Sequence, residues 1–390
     1  MPRALRGAAV IQPIVLGLLA SFVGFSSSFT VVLQGYMAMG ATPAQAASGL
    51  TIITFSMGAL GAGFSLWWRK PVAIAWSTPG AALLVATAAP AGGFAVATGA
   101  FIVSALLIML AGLWRPLLRA VEGIPAPIAN AMLAGVLLDL CVAPARAVGV
   151  VPMIALPVVL TWLVMLRFAR LWAVPAAVVV AAVLVGLLVP MPAGAWAGAG
   201  PGLEFVWPVF EPAAMLGIAV PLFLVTMASQ NVPGIAVLQA FGYRPDAGRV
   251  FLGTGAASAA GALAGGQMIN FAAITAAMCA GPEAHPDPAK RWVAGFANGL
   301  GYVVFAFAAG AAAAAVALAP PALIQAVAGL ALLGSMAAAL RGAVEDEALR
   351  IPAVLCFVTC ASGLSFGGVG AAFWGLLAGL AAAAVLRIRR

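Results

Sequence analysis

The chain has 390 residues, of which 65% are hydrophobic and only 7% are charged, and its formal net charge at pH 7 is +8. So apolar a composition excludes a water-soluble or disordered protein and indicates an integral membrane protein. The basic residues are scattered in pairs between apolar runs and are not gathered with aromatic residues, so the charge does not indicate nucleic-acid binding.

The apolar runs predict an all-α polytopic membrane protein with 14 transmembrane segments, because a helical span needs about 20 mostly apolar residues. Seven segments come first, at 13–35, 45–66, 71–89, 94–113, 123–141, 150–166 and 172–190. Seven more follow, at 212–241, 249–264, 266–280, 292–318, 321–340, 351–366 and 371–386. Segments 3 and 10 are interrupted by polar residues, glycine or proline, which predicts half-helices instead of full spans.

The positions of the basic residues support this count. With the N-terminus in the cytoplasm, all 18 Lys and Arg residues except Arg146 fall in cytoplasmic segments. The positive-inside rule therefore predicts a multi-pass protein of the cytoplasmic (inner) membrane with both termini in the cytoplasm. Because each half has an odd number of segments, residues 1–190 and 212–390 are expected to form two inverted repeats joined by the external loop 191–211.

The two broken segments predict a cavity, because non-helical chain survives at membrane depth only where protein or a polar cavity surrounds it. In segment 3, Ser77 and Thr78 precede Pro79, a pattern typical of an N-cap and the first turn of a helix. In segment 10, we expect extended chain from Gly265 to Ile269 and a half-helix capped by Asn270. Two facing helix N-termini would favour an anion between them.

Segment 8 carries three adjacent polar residues, Ser229, Gln230 and Asn231, directly before Pro233. Two interpretations are open. These side chains face the same cavity, with Pro233 freeing a backbone carbonyl, or their amides bind neighbouring helices. After Glu211, segment 8 and both broken segments contain no Asp, Glu, Lys, Arg or His, so the predicted pocket is polar but uncharged.

Phe29 and Phe271 are candidates for an apolar wall beside a flat substrate, with ordinary core or lipid-facing packing as the alternative. The four cysteines match no zinc or redox spacing. The sequence has no recognisable catalytic set of nucleophile, base and acid, and no Walker glycine loop. It therefore predicts neither an enzyme nor an ATP-driven pump, and no metal or cofactor.

Six sequence strings lie in order over nearly the whole chain. They are WSTPGAALL (76–84), SQNVPGIAVL (229–238), INFAAITAAMC (269–279), EAHPDPAKRW (283–292), AGLALLG (328–334) and SGLSFGGVGAAFWGLLAG (362–379). At these strings the chain resembles the benzoate membrane transport family. Together they are specific, although each alone is weak.

That resemblance implies the fold of the nucleobase and sulfate permeases, with a core domain from segments 1–4 and 8–11 and a gate domain from segments 5–7 and 12–14. It implies import of an aromatic carboxylate, benzoate first among them, with a proton by alternating access. Ser229 or Gln230, and Gln267, match positions where nucleobase carriers have carboxylates. Family members often have a histidine near Gln267. Because Gln267 cannot titrate, either this chain lacks the proton coupling that the family implies or the substrate itself brings the proton.

The resulting hypothesis assigns eight substrate-binding residues: Phe29, Ser77, Thr78, Gln230, Asn231, Gln267, Asn270 and Phe271. The polar side chains would hold the carboxylate, and the two phenylalanines would pack on the ring. The partners expected are the substrate, a proton and the lipid bilayer, with no nucleic acid, and a homodimer is compatible with this fold. The alternatives are a carrier of a nucleobase-like heterocycle or other small anion, and a non-transporting membrane scaffold.

Overall fold

The computed structural model describes residues 3–190, 196, 199–366 and 369–388. Its first half contains eight helices and one short strand. They are α1 (Arg3–Ala38), α2 (Pro43–Trp68), β1 (Ile74–Trp76), α3 (Thr78–Ala86), α4 (Gly93–Leu113), α5 (Arg115–Glu122), α6 (Ala126–Val150), α7 (Pro152–Phe168) and α8 (Ala173–Leu188).

The second half begins with one continuous helical segment, Pro212–Ala240. It consists of α9 (Pro212–Ala214), α10 (Val220–Thr226) and α11 (Val232–Ala240), joined by π-helical turns at Met215–Ala219 and Met227–Asn231. The remaining elements are α12 (Ala247–Ala262), β2 (Ile269–Phe271), α13 (Ile274–Ala280), α14 (Trp292–Leu318), α15 (Pro321–Val344), α16 (Arg350–Ala361) and α17 (Ala371–Ile388).

Among the described residues, eight helical segments are long and apolar enough to cross a membrane, and two shorter apolar helices lie at Pro152–Phe168 and Ala371–Leu386. The count of fourteen crossings stays a prediction. One helix, α5, was not predicted; it lies in sequence between segments 4 and 5. The predicted end of segment 5 at residue 141 is also early, because α6 continues to Val150.

The two strands pair with each other and join the halves of the chain. They are antiparallel, and Ala75 lies opposite Asn270 at the centre of the register. Two flanking backbone bonds extend the pairing, from Ser77 N to Met268 O at 2.9 Å and from Ala272 N to Ala73 O at 3.0 Å. Lipid offers no hydrogen bonds, so the pairing of β1 with β2 satisfies backbone groups that the two broken helices leave free.

The helices pack in two groups. One group includes α2 on α14, α1 on α14 and α4 on α12, and the other includes α6 on α15 and α16, α16 on α17 and α7 on α8. Glycines allow the closest approaches. A Cβ atom on Gly58 of α2 would lie 2.7 Å from Gly299 O of α14, so neither helix has room for a larger residue there.

Candidate functional site

A cavity of about 80 Å³, here called the central cavity, lies beside the paired strands β1 and β2, which are together called the strand crossing. Its lining comes from α1, the two broken segments, the π-helical turn of segment 8 and α14. The residues are Val23, Gly24, Ser27, Ser28, Ala75, Trp76, Thr78, Gln230, Ala272, Ala273, Ile274, Thr275 and Tyr302. Both halves of the chain therefore contribute to one site.

Two aromatic residues form walls of the central cavity. The ring centroids of Trp76 and Tyr302 are 6.5 Å apart with planes at 47°. Trp76 is held in place by a hydrogen bond from its Nε1 to Ser28 Oγ at 2.9 Å. Tyr302 fits because the facing residue of α1 is Gly24, where a Cβ atom would overlap the tyrosine hydroxyl. Sequence reasoning gave neither aromatic residue a role.

In segment 3 the predicted cap is confirmed. Ser77 precedes α3, and its Oγ accepts a hydrogen bond from Gly80 N at 3.1 Å. The same hydroxyl lies 2.8 Å from Thr226 Oγ1 of segment 8. Because Ser77 is fully buried and its hydroxyl is engaged by the protein, it is Thr78, the next residue, that lines the central cavity.

In segment 10 the predicted cap is wrong. Asn270 lies in β2, four residues before α13 begins at Ile274, and the N-cap position of α13 is Ala273 without a side-chain hydrogen bond. The strand, predicted to end at Ile269, begins there instead. The physical reason is the pairing with β1, which holds Asn270 extended opposite Ala75. Its Nδ2 donates to Phe271 O at 2.7 Å.

The structure places Gln230 and Asn231, two of the three polar residues of segment 8, in different surroundings. Pro233 has no N–H, and its ring displaces the carbonyl four residues earlier, which favours a widened turn. Accordingly Val232 N bonds to Met227 O, five residues back. On this turn Gln230 lines the central cavity, whereas Asn231 is fully buried and its Oδ1 accepts a hydrogen bond from Phe271 N at 3.0 Å.

Gln267 is also part of the framework behind the cavity. Its Nε2 donates to Ser77 O at 3.0 Å, and its backbone N–H donates to Tyr36 Oη at 3.0 Å. The side chain is fully buried and does not line the central cavity. Gln267 thus joins segment 10 to segments 3 and 1. The sequence had predicted that this residue contacts the substrate, but it lies beside the paired strands and behind the cavity.

The two predicted phenylalanines lie elsewhere. Phe271 is fully buried and packs edge to face against Phe251, with centroids 6.1 Å apart. Phe29 stacks on Phe25 at 5.4 Å and lines a different cavity. Of the eight predicted residues, the structure therefore brings Thr78 and Gln230 into the central cavity. It puts Ser77, Asn231, Gln267 and Asn270 in the framework behind them.

The central cavity is polar and uncharged, since none of its described lining residues is Asp, Glu, Lys, Arg or His. Thr275 is 5% exposed, and its Oγ1 has no hydrogen-bond partner among the described residues. This hydroxyl adjoins the cavity, where the polar group of a ligand can reach it. Within the described ranges, no three His, Cys, Asp or Glu side chains are grouped to hold a metal ion.

The chain folds as a polytopic helical membrane protein in which two broken segments pair through β1 and β2 beside a cavity. The same fold occurs in the solved transmembrane domain of BicA, a cyanobacterium bicarbonate transporter. The likeness has a TM-score of 0.62 and 16% sequence identity, and it covers 93% of this chain and 98% of that chain. This agreement confirms the predicted fold class.

The family follows from sequence. The family model described as benzoate membrane transport protein matches residues 8–385. The chain therefore belongs to the benzoate membrane transport family, as the six strings predicted, and it is a membrane transporter and not an enzyme.

Two curated relatives are similar over most of their length. Inner membrane protein YdcO of Escherichia coli (strain K12) is 38% identical over 371 residues, covering 94% of this chain and 93% of the relative. The benzoate membrane transport protein of Acinetobacter baylyi is 33% identical over 376 residues, covering 95% and 94%.

Proposed function

We propose that this transporter is a secondary carrier that imports an aromatic carboxylate, with benzoate as the leading substrate, together with a proton. The observation that carries the proposal is the central cavity, in which the aromatic walls Trp76 and Tyr302 adjoin uncharged polar groups at the strand crossing. The name of the Acinetobacter baylyi relative supports benzoate. A ring with one polar substituent matches this combination of surfaces.

The substrate ring packs against Trp76 and Tyr302, and its carboxyl group points toward the strand crossing. There the Thr78 hydroxyl, the Gln230 amide and the unpaired Thr275 hydroxyl are available as donors. A hydrogen bond to the neutral acid contributes about 0.5–1.5 kcal/mol. These three contacts fix the orientation of the acid, whereas the aromatic walls recognise its flat shape.

The proton travels on the substrate. Transfer of a carboxylate into an uncharged, desolvated pocket raises the pKa of that carboxylate and favours the neutral acid. The described cavity lining has no carboxylate or histidine that would take the proton instead. Gln267 cannot take it either. The carrier therefore moves one acid molecule and one proton together, and the step transfers no net charge.

Alternating access follows from movement of the core domain, segments 1–4 and 8–11, against the gate domain, segments 5–7 and 12–14. The two packing groups of helices support this division. We also propose that the protein lies in the inner membrane with both termini in the cytoplasm. The distribution of basic residues and the name of the Escherichia coli relative support that location.

The first experiment measures the thermal stability of the purified transporter with benzoate, substituted benzoates, uracil and sulfate. A ligand at 100 times its Kd should stabilise the protein by about 2.7 kcal/mol. Selective stabilisation by benzoates supports the proposal. Stabilisation by uracil or sulfate alone would instead favour a carrier of a nucleobase-like heterocycle or another small anion. No response to any of the four kinds of ligand would contradict the proposal.

The second experiment tests the proton. In proteoliposomes, benzoate uptake should accelerate when the outside is more acidic than the lumen. It should not respond to a membrane potential imposed at constant pH. Uptake that follows the potential would mean that net charge moves, and the neutral acid would then not be the transported species.

A further inference from the structure

One face of α1 carries a row of three polar residues, Ser27, Thr30 and Gln34. Their spacing of three and four residues places them one above another on the helix. Ser27 lines the central cavity, Thr30 lines a second cavity of about 120 Å³, and Gln34 lines a third of about 350 Å³. Three cavities therefore follow one face of one helix.

The second and third cavities are adjacent, because Val316, Ala319 and Ile324 line both. They lie beside the C-terminal half of α1, which the basic residues predict to face outside. The row thus leads from the predicted outer side of the membrane toward the central cavity.

The second cavity is built between α1 and the helices α8 and α15. Its walls are mostly apolar and include Phe29 of α1, Val185 of α8 and Leu323 of α15. Thr30 is the polar exception. It is 3% exposed, and its Oγ1 has no hydrogen-bond partner among the described residues. Such a hydroxyl is normally paired, so its isolation beside a cavity indicates a polar group that arrives with a ligand.

Gln34 repeats this feature one turn further out. Its Oε1 is buried and likewise has no partner in the described part of the chain. Two unpaired polar groups on adjacent turns, beside adjacent cavities, are difficult to explain by packing alone, because each could have been an apolar residue. They are explained if polar solutes pass along this face.

We propose that the second cavity is an outer binding site, at which the small aromatic acid pauses before it reaches the central cavity. This inference rests on the proposed function. The ring lies against Phe29 and the apolar residues of α8 and α15, and the Thr30 hydroxyl donates a hydrogen bond to the carboxyl group. Gln34 stands at the outer mouth. Because α1 belongs to the predicted core and α8 and α15 to the predicted gate, both domains hold the acid at this site.

The test compares Thr30→Val with Thr161→Val. Thr30→Val keeps the shape of the side chain and removes the hydroxyl. Thr161 of α7 is the matched control, since its Oγ1 already donates to Pro157 O at 2.8 Å and it lines none of the three cavities. Each full-length variant is assayed for initial uptake of labelled benzoate by cells and, after purification, for equilibrium binding of benzoate.

The expected result for Thr30→Val is a fall of about tenfold in kcat/KM for uptake, which corresponds to one hydrogen bond to a carboxyl group. The Kd of the central cavity should stay within about twofold of wild type, because Thr30 does not line that cavity. Thr161→Val should change neither quantity. A second variant, Ala182→Trp, fills the outer site from α8 and should reduce uptake while benzoate still stabilises the purified protein.

Unchanged uptake by Thr30→Val would overturn the outer site and leave the proposed function standing. A parallel loss of kcat/KM and of the binding component that Gln230→Ala removes would also overturn it, because Thr30 would then act at the central cavity. If the wild-type protein neither binds nor transports benzoate, the proposed function fails, and the outer site for an aromatic acid fails with it.

Discussion

Asn231→Ala should destabilise the transporter without removing any group that lines the central cavity. The substitution deletes the oxygen that accepts the hydrogen bond from Phe271 N at 3.0 Å. Both residues are fully buried, so water cannot replace this acceptor. A buried donor left unpaired costs about 1–3 kcal/mol. The small void left by the amide adds about 1 kcal/mol, so the expected loss is about 2–4 kcal/mol.

The assay is unfolding of the purified protein in detergent, with and without benzoate. Gln230→Ala is the matched control, because it removes the neighbouring amide on the same turn, and that amide faces the cavity. Without ligand, Gln230→Ala should lie within about 0.5 kcal/mol of wild type. With benzoate, it should lose most of the stabilisation. Equal stability of Asn231→Ala and wild type would refute the assignment of Asn231 to the framework.

Two further predictions concern the cavity wall and a loop. Gly24→Ala should abolish benzoate-dependent stabilisation, because the added methyl group overlaps the Tyr302 hydroxyl, whereas Gly63→Ala, with no atom within 4 Å of its Cβ position, should be neutral; ligand-induced thermal shifts compare them. Tyr243→Phe should cost about 0.5–1.5 kcal/mol, since the hydroxyl donates to Pro288 O at 2.7 Å. Burial raises the pKa of Tyr243, so this difference should persist below about pH 10 and disappear as pH rises through the folded-state pKa. Unfolding measured across that range checks it.

Local signals explain which parts of the site could be predicted. Ser at the N-cap and Pro in the first turn are residue types that helix N-termini favour, and the cap forms at Ser77, two residues before Pro79. Asn270 is an equally good cap by residue type. Its conformation is instead decided by pairing with Ala75 in the other half of the chain, and no neighbouring residue indicates that partner.

In segment 8, too, the neighbouring residues do not predict where each side chain lies. Pro233 predicts a disturbed helix, but the direction of each side chain depends on how the turn widens. One extra residue in the turn rotates the following side chains around the helix, so Gln230 lines the cavity whereas Asn231 bonds to Phe271. Tyr302 was missed because its position depends on the packing of α14 against α1, which the sequence indicates only through small residues such as Gly24.

The pairing of β1 with β2 also has a consequence for biosynthesis. Ala75 leaves the ribosome long before Asn270, yet each needs the other to satisfy its backbone inside the bilayer. Until the second half of the chain has been inserted, the nascent first half carries unpaired peptide groups in β1. The translocon or the neighbouring helices must shelter them during that interval. The central cavity is therefore among the last parts of the transporter to form, and a chain truncated before β2 would lack it entirely.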